Sequence, residues 1–181
     1  MPTIIGRKNE RELLQNALDS HQSELIAVYG RRRVGKTFLI RECYRNDIVF
    51  EVTGLFNGSM KEQLYNFTKS LGNSDGEPLP ISWLEAFERL EHKINRLRSK
   101  KKKVLFIDEF PWMATPRSNF LMAFENFWNH YCTKRNDLVV VICGSAASYM
   151  VHKIVNNKGG LHNRITQKIR LLKLRWYATK S

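Results

Sequence analysis

Apolar positions along this 181-residue chain follow two rhythms that alternate from end to end. "ELIAVY" (24–29), "DIVFEVTG" (47–54), "KVLFIDEF" (103–110) and "DLVVVICGS" (137–145) are short runs in which nearly every position is apolar. That is the pattern of strands covered on both faces. A weaker fifth strand is expected in "ITQKIRLLKL" (165–174). Between these runs the apolar spacing changes to three and four residues, the helical period. Leu13, Leu14, Ala17 and Leu18 share one face of a helix around Glu10 to Leu18, and Phe38, Leu39 and Cys43 recur at helical spacing in "KTFLIRECY". "SMKE" and "SWLE" fit the S-x-x-E capping box and predict helices beginning at Ser59 and Ser82. Leu64, Phe67 and Leu71 face inward on the first, and Trp83, Phe87, Leu90, Ile94 and Leu97 on the second. In "SNFLMAFENFWNHY" (118–131) the inward set is Phe120, Phe124, Phe127 and Tyr131, and "GNSDGEPLP" reads as a surface loop. Strands alternating with helices predict an α/β fold: a parallel sheet of about five strands with helices on both faces, in one domain.

The polar positions then become informative, because such sheets bind ligands beyond the carboxyl ends of their strands. The first strand runs into "YGRRRVGKTF", where Gly30, Gly35, Lys36 and Thr37 match G-x-x-x-x-G-K-[ST], the phosphate-binding P-loop. Glycines let the main chain turn so that successive N–H groups converge on phosphate oxygens, with the phosphates at a helix N-terminus. Lys36 adds a cation and Thr37 an oxygen for Mg2+. Arg31, Arg32, Arg33 and Val34 occupy the variable positions, where the main chain carries the binding; the three arginines are expected in solvent, with screening of phosphate charge or contact with a partner as the alternatives. The third strand ends in Asp108 and Glu109, and the fourth in Ser145. Asp108 is the expected second Mg2+ ligand and Glu109 the residue that orients and deprotonates an attacking water. Ser145 is either a sensor that hydrogen-bonds the terminal phosphate or that water, or the N-cap of "SAASYM", and the two are compatible.

Composition narrows the class. No apolar run approaches the ~18 residues needed to span a bilayer, and "MPTIIGRKNERE" lacks the charged-then-apolar order of a secretion signal, so a cytoplasmic protein without membrane partners is expected. Cys43, Cys132 and Cys143 are scattered and suggest neither a disulfide framework nor a zinc site. The formal net charge of +13 invites a nucleic-acid partner. Much of the excess lies in "RLRSKKKK" (96–103) and in the last 31 residues, which hold Lys153, Lys158, Arg164, Lys168, Arg170, Lys173, Arg175 and Lys180 and no acid. The first run reads as a helix end whose cations face the dipole and solvent. A GTPase would need N-K-x-D, and "NKGG" lacks the Asp. A serine hydrolase would need G-x-S-x-G, which "CGSAAS" does not supply.

"IIGRKNERELL", "GRRRVGKT", "FIDEFPW", "ICGSAASYM" and "GGLHNRITQKIRL" together resemble the prokaryotic AAA+ ATPases often called the archaeal ATPase family, relatives of the STAND signalling NTPases, from about Ile4 to Leu174. The resemblance implies a three-layer P-loop NTPase core with strand order 5-1-4-3-2, ATP and Mg2+ as ligands, and Ile5, Gly6 and Arg7 near the adenine. It carries the phosphate roles onto Gly30, Gly35, Lys36 and Thr37, metal and water handling onto Asp108 and Glu109, and the first sensor onto Ser145. Arg164 in "GGLHNRIT" matches an arginine that precedes the fifth strand, read as a finger to the terminal phosphate in cis or in trans, or as a structural ion pair. Family members continue into a helical lid and a C-terminal domain, whereas this chain turns to "RWYATKS". The expectation is a single ATP-binding core over 1–181, without lid, that binds Mg-ATP and hydrolyses it slowly. The alternative is a basic DNA-binding or regulatory module that holds ATP without significant hydrolysis, with a protein or nucleic-acid partner or a second copy on its surface.

Overall fold

The structure, a computed structural model, describes residues 6–72, 78–145, 149–155, 161 and 163–173. Five strands form one parallel sheet: β1 (Glu24–Tyr29), β2 (Ile48–Thr53), β3 (Lys103–Asp108), β4 (Leu138–Gly144) and β5 (Gln167–Arg170), in the order β2-β3-β4-β1-β5. Read from the other edge, this is the expected 5-1-4-3-2. Side chains alternate between the two faces of a strand, which explains why the strands look apolar throughout. Leu25 and Ala27 of β1, Leu105 and Ile107 of β3, and Leu138, Val140 and Ile142 of β4 enter one core; Ile26, Val28, Val104, Phe106, Val139, Val141 and Cys143 enter the other.

Helices α1 (Lys8–Asp19) and α2 (Lys36–Cys43) cover the second face, burying Leu14, Ala17, Leu39 and Ile40. The first face is covered by α3 (Met60–Ser70), α4 (Trp83–Arg96), α5 (Phe110–Met113) and α6 (Phe120–His130). Their aromatic residues pack on one another: Phe87 lies 5.4 Å from Phe67 and 5.0 Å from Phe127, and Phe120 lies 4.7 Å from Trp83. Ser59 caps α3 with a complete capping box. At α4 only half of it forms: Ser82 accepts from the Glu85 N–H, while Glu85 turns to the Ile81 N–H and Arg89.

Several expectations shift in phase. Phe38 is 43% exposed, because a helix that begins at Lys36 turns Leu39 and Ile40 inward instead. Leu97 and Tyr131 are helix caps and only half-buried. The basic run 96–103 leaves the helix at Arg96 and is not uniformly solvated. Lys103 opens β3, is 3% exposed and pairs with Asp137 at 2.7 Å. The Lys102 ammonium donates to the carbonyls of Ala17, Ser20 and Gln22, tying the end of α1 to the sheet. Both cations have partners distant in the chain, and burial holds the Lys102 ammonium below its ordinary pKa. Among the described residues no helix is long and apolar enough to cross a membrane.

Candidate functional site

Parallel pairing aligns the carboxyl ends of β3, β4 and β1, which are neighbours in the sheet. Tyr29 of β1 is level with Gly144 of β4, and Ile107 of β3 with Ile142. The loops that leave these three ends therefore meet, and they carry Gly30–Gly35, Glu109 and Ser145.

Gly30 leaves β1 with φ 153°, and a Cβ there would lie 2.3 Å from the Leu171 carbonyl oxygen, so no larger residue fits the closing β5 strand. Gly35 has φ 86° and caps α2, whose first turn carries Lys36 and Thr37. The Lys36 side chain curls back over the loop, donating to the carbonyls of Gly30 at 3.1 Å and Arg31 at 3.0 Å. An ammonium carries three donors, so these contacts hold it across the loop while leaving it competent for an anion. Arg31, Arg32 and Arg33 are exposed at the loop surface, as expected, and Val34 is half-buried.

Thr37 donates from Oγ1 to Asp108 Oδ2 at 2.7 Å, and Asp108 Oδ1 accepts from the Glu109 N–H at 2.9 Å. The Asp108 carboxylate is 5% exposed. Burial, and after it this carboxylate, push the neighbouring Cys143 thiol well above its ordinary pKa. Glu109 adopts a left-handed conformation, φ 45° and ψ 42°, which turns its side chain off the strand and lets α5 start at Phe110. Its Oε2 accepts from Ser145 twice, from Oγ at 2.7 Å and from N–H at 3.2 Å. Two oxygens from distant chain segments thus converge beside the loop, with a second carboxylate next to them. Among the described residues no cluster of three or more His, Cys, Asp or Glu could cage a metal. A cation held by Thr37 and Asp108 would take its other ligands from phosphate and water, which is the habit of Mg2+.

Arg7 also reaches the loop. Its guanidinium donates to the Val34 carbonyl at 2.9 Å, to the Leu172 carbonyl at 2.8 Å and to Glu10 at 3.2 Å. Three of its five N–H donors are thus engaged by the protein, and Arg7 fastens the loop to the chain after β5. Gly6 precedes it with φ 80°; Ile5 lies outside the described residues, as does 146–148, where a Ser145 cap would act. Arg164 is not brought to this site. Thr166 bonds to Leu25 at the amino end of β1, five residues or roughly 16 Å down the strand from Gly30, and Arg164 precedes it in an exposed turn. A finger in cis is therefore discarded. Sequence reasoning missed Gln63, fully buried on α3, whose signal was a polar residue beside Leu64 on an apolar face, and Trp112, whose ring lies against Phe56 and Arg32.

The family model for an ATPase domain found predominantly in Archaea matches residues 5–178. An uncharacterised protein of Methanocaldococcus jannaschii is 28% identical over 178 residues, covering 96% of this chain and 36% of the relative. An uncharacterised ATP-binding protein of the same organism is 45% identical over 43 residues, 24% of this chain and 73% of that one. Among solved structures, the Walker-type ATPase of Pyrococcus abyssi superposes with TM-score 0.62 at 18% identity, over 93% of this chain and 53% of that chain. The ORC2 protein of Aeropyrum pernix, described in ADPNP and ADP complexes, gives 0.62 at 19%, over 94% and 48%. The chain thus spans about a third of the longer curated relative and about half of each solved chain.

Proposed function

This chain belongs to the family of ATPase domains found predominantly in Archaea, and on that premise we propose that it binds Mg-ATP between Gly30 and Thr37 and hydrolyses it slowly to ADP and phosphate. The observation that carries the reading is the 2.7 Å contact between Thr37 Oγ1 and Asp108 Oδ2. It joins the phosphate loop to the acidic strand end through the two side chains, Thr37 and Asp108, that would hold a Mg2+ ion. In this reading Lys36 exchanges its contacts with the Gly30 and Arg31 carbonyls for phosphate oxygens, and the main-chain N–H groups of the loop and of α2 surround the anion. Mg2+, when bound, neutralises charge developing on the phosphates.

Glu109 is the proposed water-activating base. Ser145 engages its Oε2 and leaves Oε1 with acceptor capacity for the water it would activate. The same contact favours a second reading, a nucleotide-dependent switch in which Ser145 holds the Glu109 side chain in its resting position until a partner shifts it. Arg164 remains proposed only for a finger in trans, which would need a second copy of the chain. Phosphate release by the wild-type chain and by Glu109→Gln tests the proposal. Glu109→Gln should bind Mg-ATP as the wild type does and lose about 100-fold or more in turnover. Hydrolysis by Glu109→Gln at the wild-type rate would place the base elsewhere.

A further inference from the structure

Three consecutive arginines in a phosphate loop call for a reason, and Arg32 has a definite one. Its guanidinium carbon stands 5.3 Å from the Trp112 ring centroid and 5.9 Å from that of Phe56. The two rings meet edge to face at 5.3 Å. Phe56 is 66% exposed, so its ring stands in solvent against a tryptophan and an arginine rather than in a core.

This aromatic pair is wired to the acidic strand end. Trp112 follows Glu109 by three residues and donates its N–H to the Glu109 carbonyl at 2.9 Å. The Gly54 N–H donates to the Asp108 carbonyl at 2.9 Å. Gln63 accepts from the Leu55 N–H at 3.0 Å and donates to the carbonyls of Leu55 at 2.7 Å and Trp112 at 3.0 Å. One side chain with no exposure thus bolts the 54–59 loop to α5. A guanidinium in the phosphate loop, two rings and the segment bearing Asp108 and Glu109 form one continuous set of contacts.

We propose that Phe56 and Trp112 are a resting seat for Arg32, from which a bound polyphosphate draws it away, so that nucleotide occupancy is passed to the 54–59 loop. The proposal rests on the phosphate-loop reading above and adds the regulation of that site. A cation over one exposed and one half-buried ring is weakly held, whereas a guanidinium on a phosphate makes a charge-assisted, bidentate pair. The phosphate therefore wins the competition. The contact with the rings must break first, so the seat lowers the apparent affinity for nucleotide. When Arg32 leaves, Phe56 loses the cation over its ring and keeps its edge-to-face contact with Trp112, and an exposed aromatic surface next to the site is released to rearrange.

The test uses the full chain and the non-hydrolysable Mg-AMP-PNP, with calorimetric affinity and tryptophan emission read side by side. Wild type should change its emission on binding, and Trp112→Phe should bind without that change, which assigns the signal. Arg32→Gln, altered at an exposed position, should still bind and lose the change. Phe56→Ala should bind about twofold tighter, because the seat that competes with phosphate is gone. An Arg32→Gln chain that binds with the full wild-type emission change overturns the seat, as does Phe56→Ala with unchanged or weaker affinity, while the phosphate-loop reading survives either result. A wild-type chain that does not bind Mg-AMP-PNP overturns both.

Discussion

Asp108 works through both of its oxygens: Oδ2 accepts from Thr37 and Oδ1 from the Glu109 N–H. One carboxylate therefore sets the distance between the phosphate loop and the candidate base. Asp108→Ala should weaken nucleotide binding about 10- to 100-fold in Mg2+, the range for losing a charged partner. The loss should largely disappear in excess EDTA, and titrations under the two conditions check it; an equal loss in both would mean that Asp108 supports the loop and not a metal. Lys36, Thr37, Asp108, Glu109 and Ser145 could be singled out in the sequence because spacing and strand ends define them. Lys102 and Lys103 could not, and Gln63 showed only as a polar residue on an apolar face, without its partners. A charge run or a lone amide carries no sign of partners that lie tens of residues away, such as Asp137 for Lys103 or Trp112 for Gln63. Arg32 was legible as an arginine in a loop, but its seat on Phe56 and Trp112 depends on how three separate segments meet.

At the scale of elements, β1, β3 and β4 were readable almost residue for residue, because burial on both faces leaves little but apolar residues in them, whereas β2, at the edge of the sheet, was readable from a run in which only Phe50 and Val52 are buried. The short helix α5 was not, since four residues starting "FP" are fewer than two helical turns and have no period to detect. β5 is shorter than its apolar run suggested and, among the described residues, pairs with β1 at the edge of the sheet. The start of β3 depends on a pair that joins strand to strand. Hydrogen bonds from Arg135 and then Lys103 hold the Asp137 carboxyl at about 2, below its usual value. A carboxyl with a lower pKa in the folded state stabilises the fold above the unfolded value, here 3.8, and that contribution fades as pH falls through about 2. Asp137→Asn should cost about 1 kcal/mol near pH 7, allowing for solvent screening. Urea unfolding at pH 7 and near pH 2 should show that difference shrinking toward zero in acid; a difference independent of pH would assign the effect to packing.

For the molecule as a whole, the order β2-β3-β4-β1-β5 puts the phosphate loop and the acidic pair on either side of Ser145, beyond the carboxyl ends of three adjacent strands. Arg7 and Lys102 fasten the far helix to this arrangement at its two ends, through Val34 and Leu172 in one case and through Ser20 in the other. With a formal net charge of +13, the chain offers a polyphosphate a favourable field at long range and a fitted loop at short range. The long-range part alone would attract any anion; only the loop distinguishes a nucleotide held through Lys36. Thermal unfolding of the wild-type chain and of Lys36→Ala, with and without Mg-ATP, separates the two most directly. At 100 times its dissociation constant the ligand should stabilise the wild type by ~2.7 kcal/mol and leave Lys36→Ala close to its unliganded midpoint. Equal stabilisation of both proteins, or none of the wild type, would contradict the account.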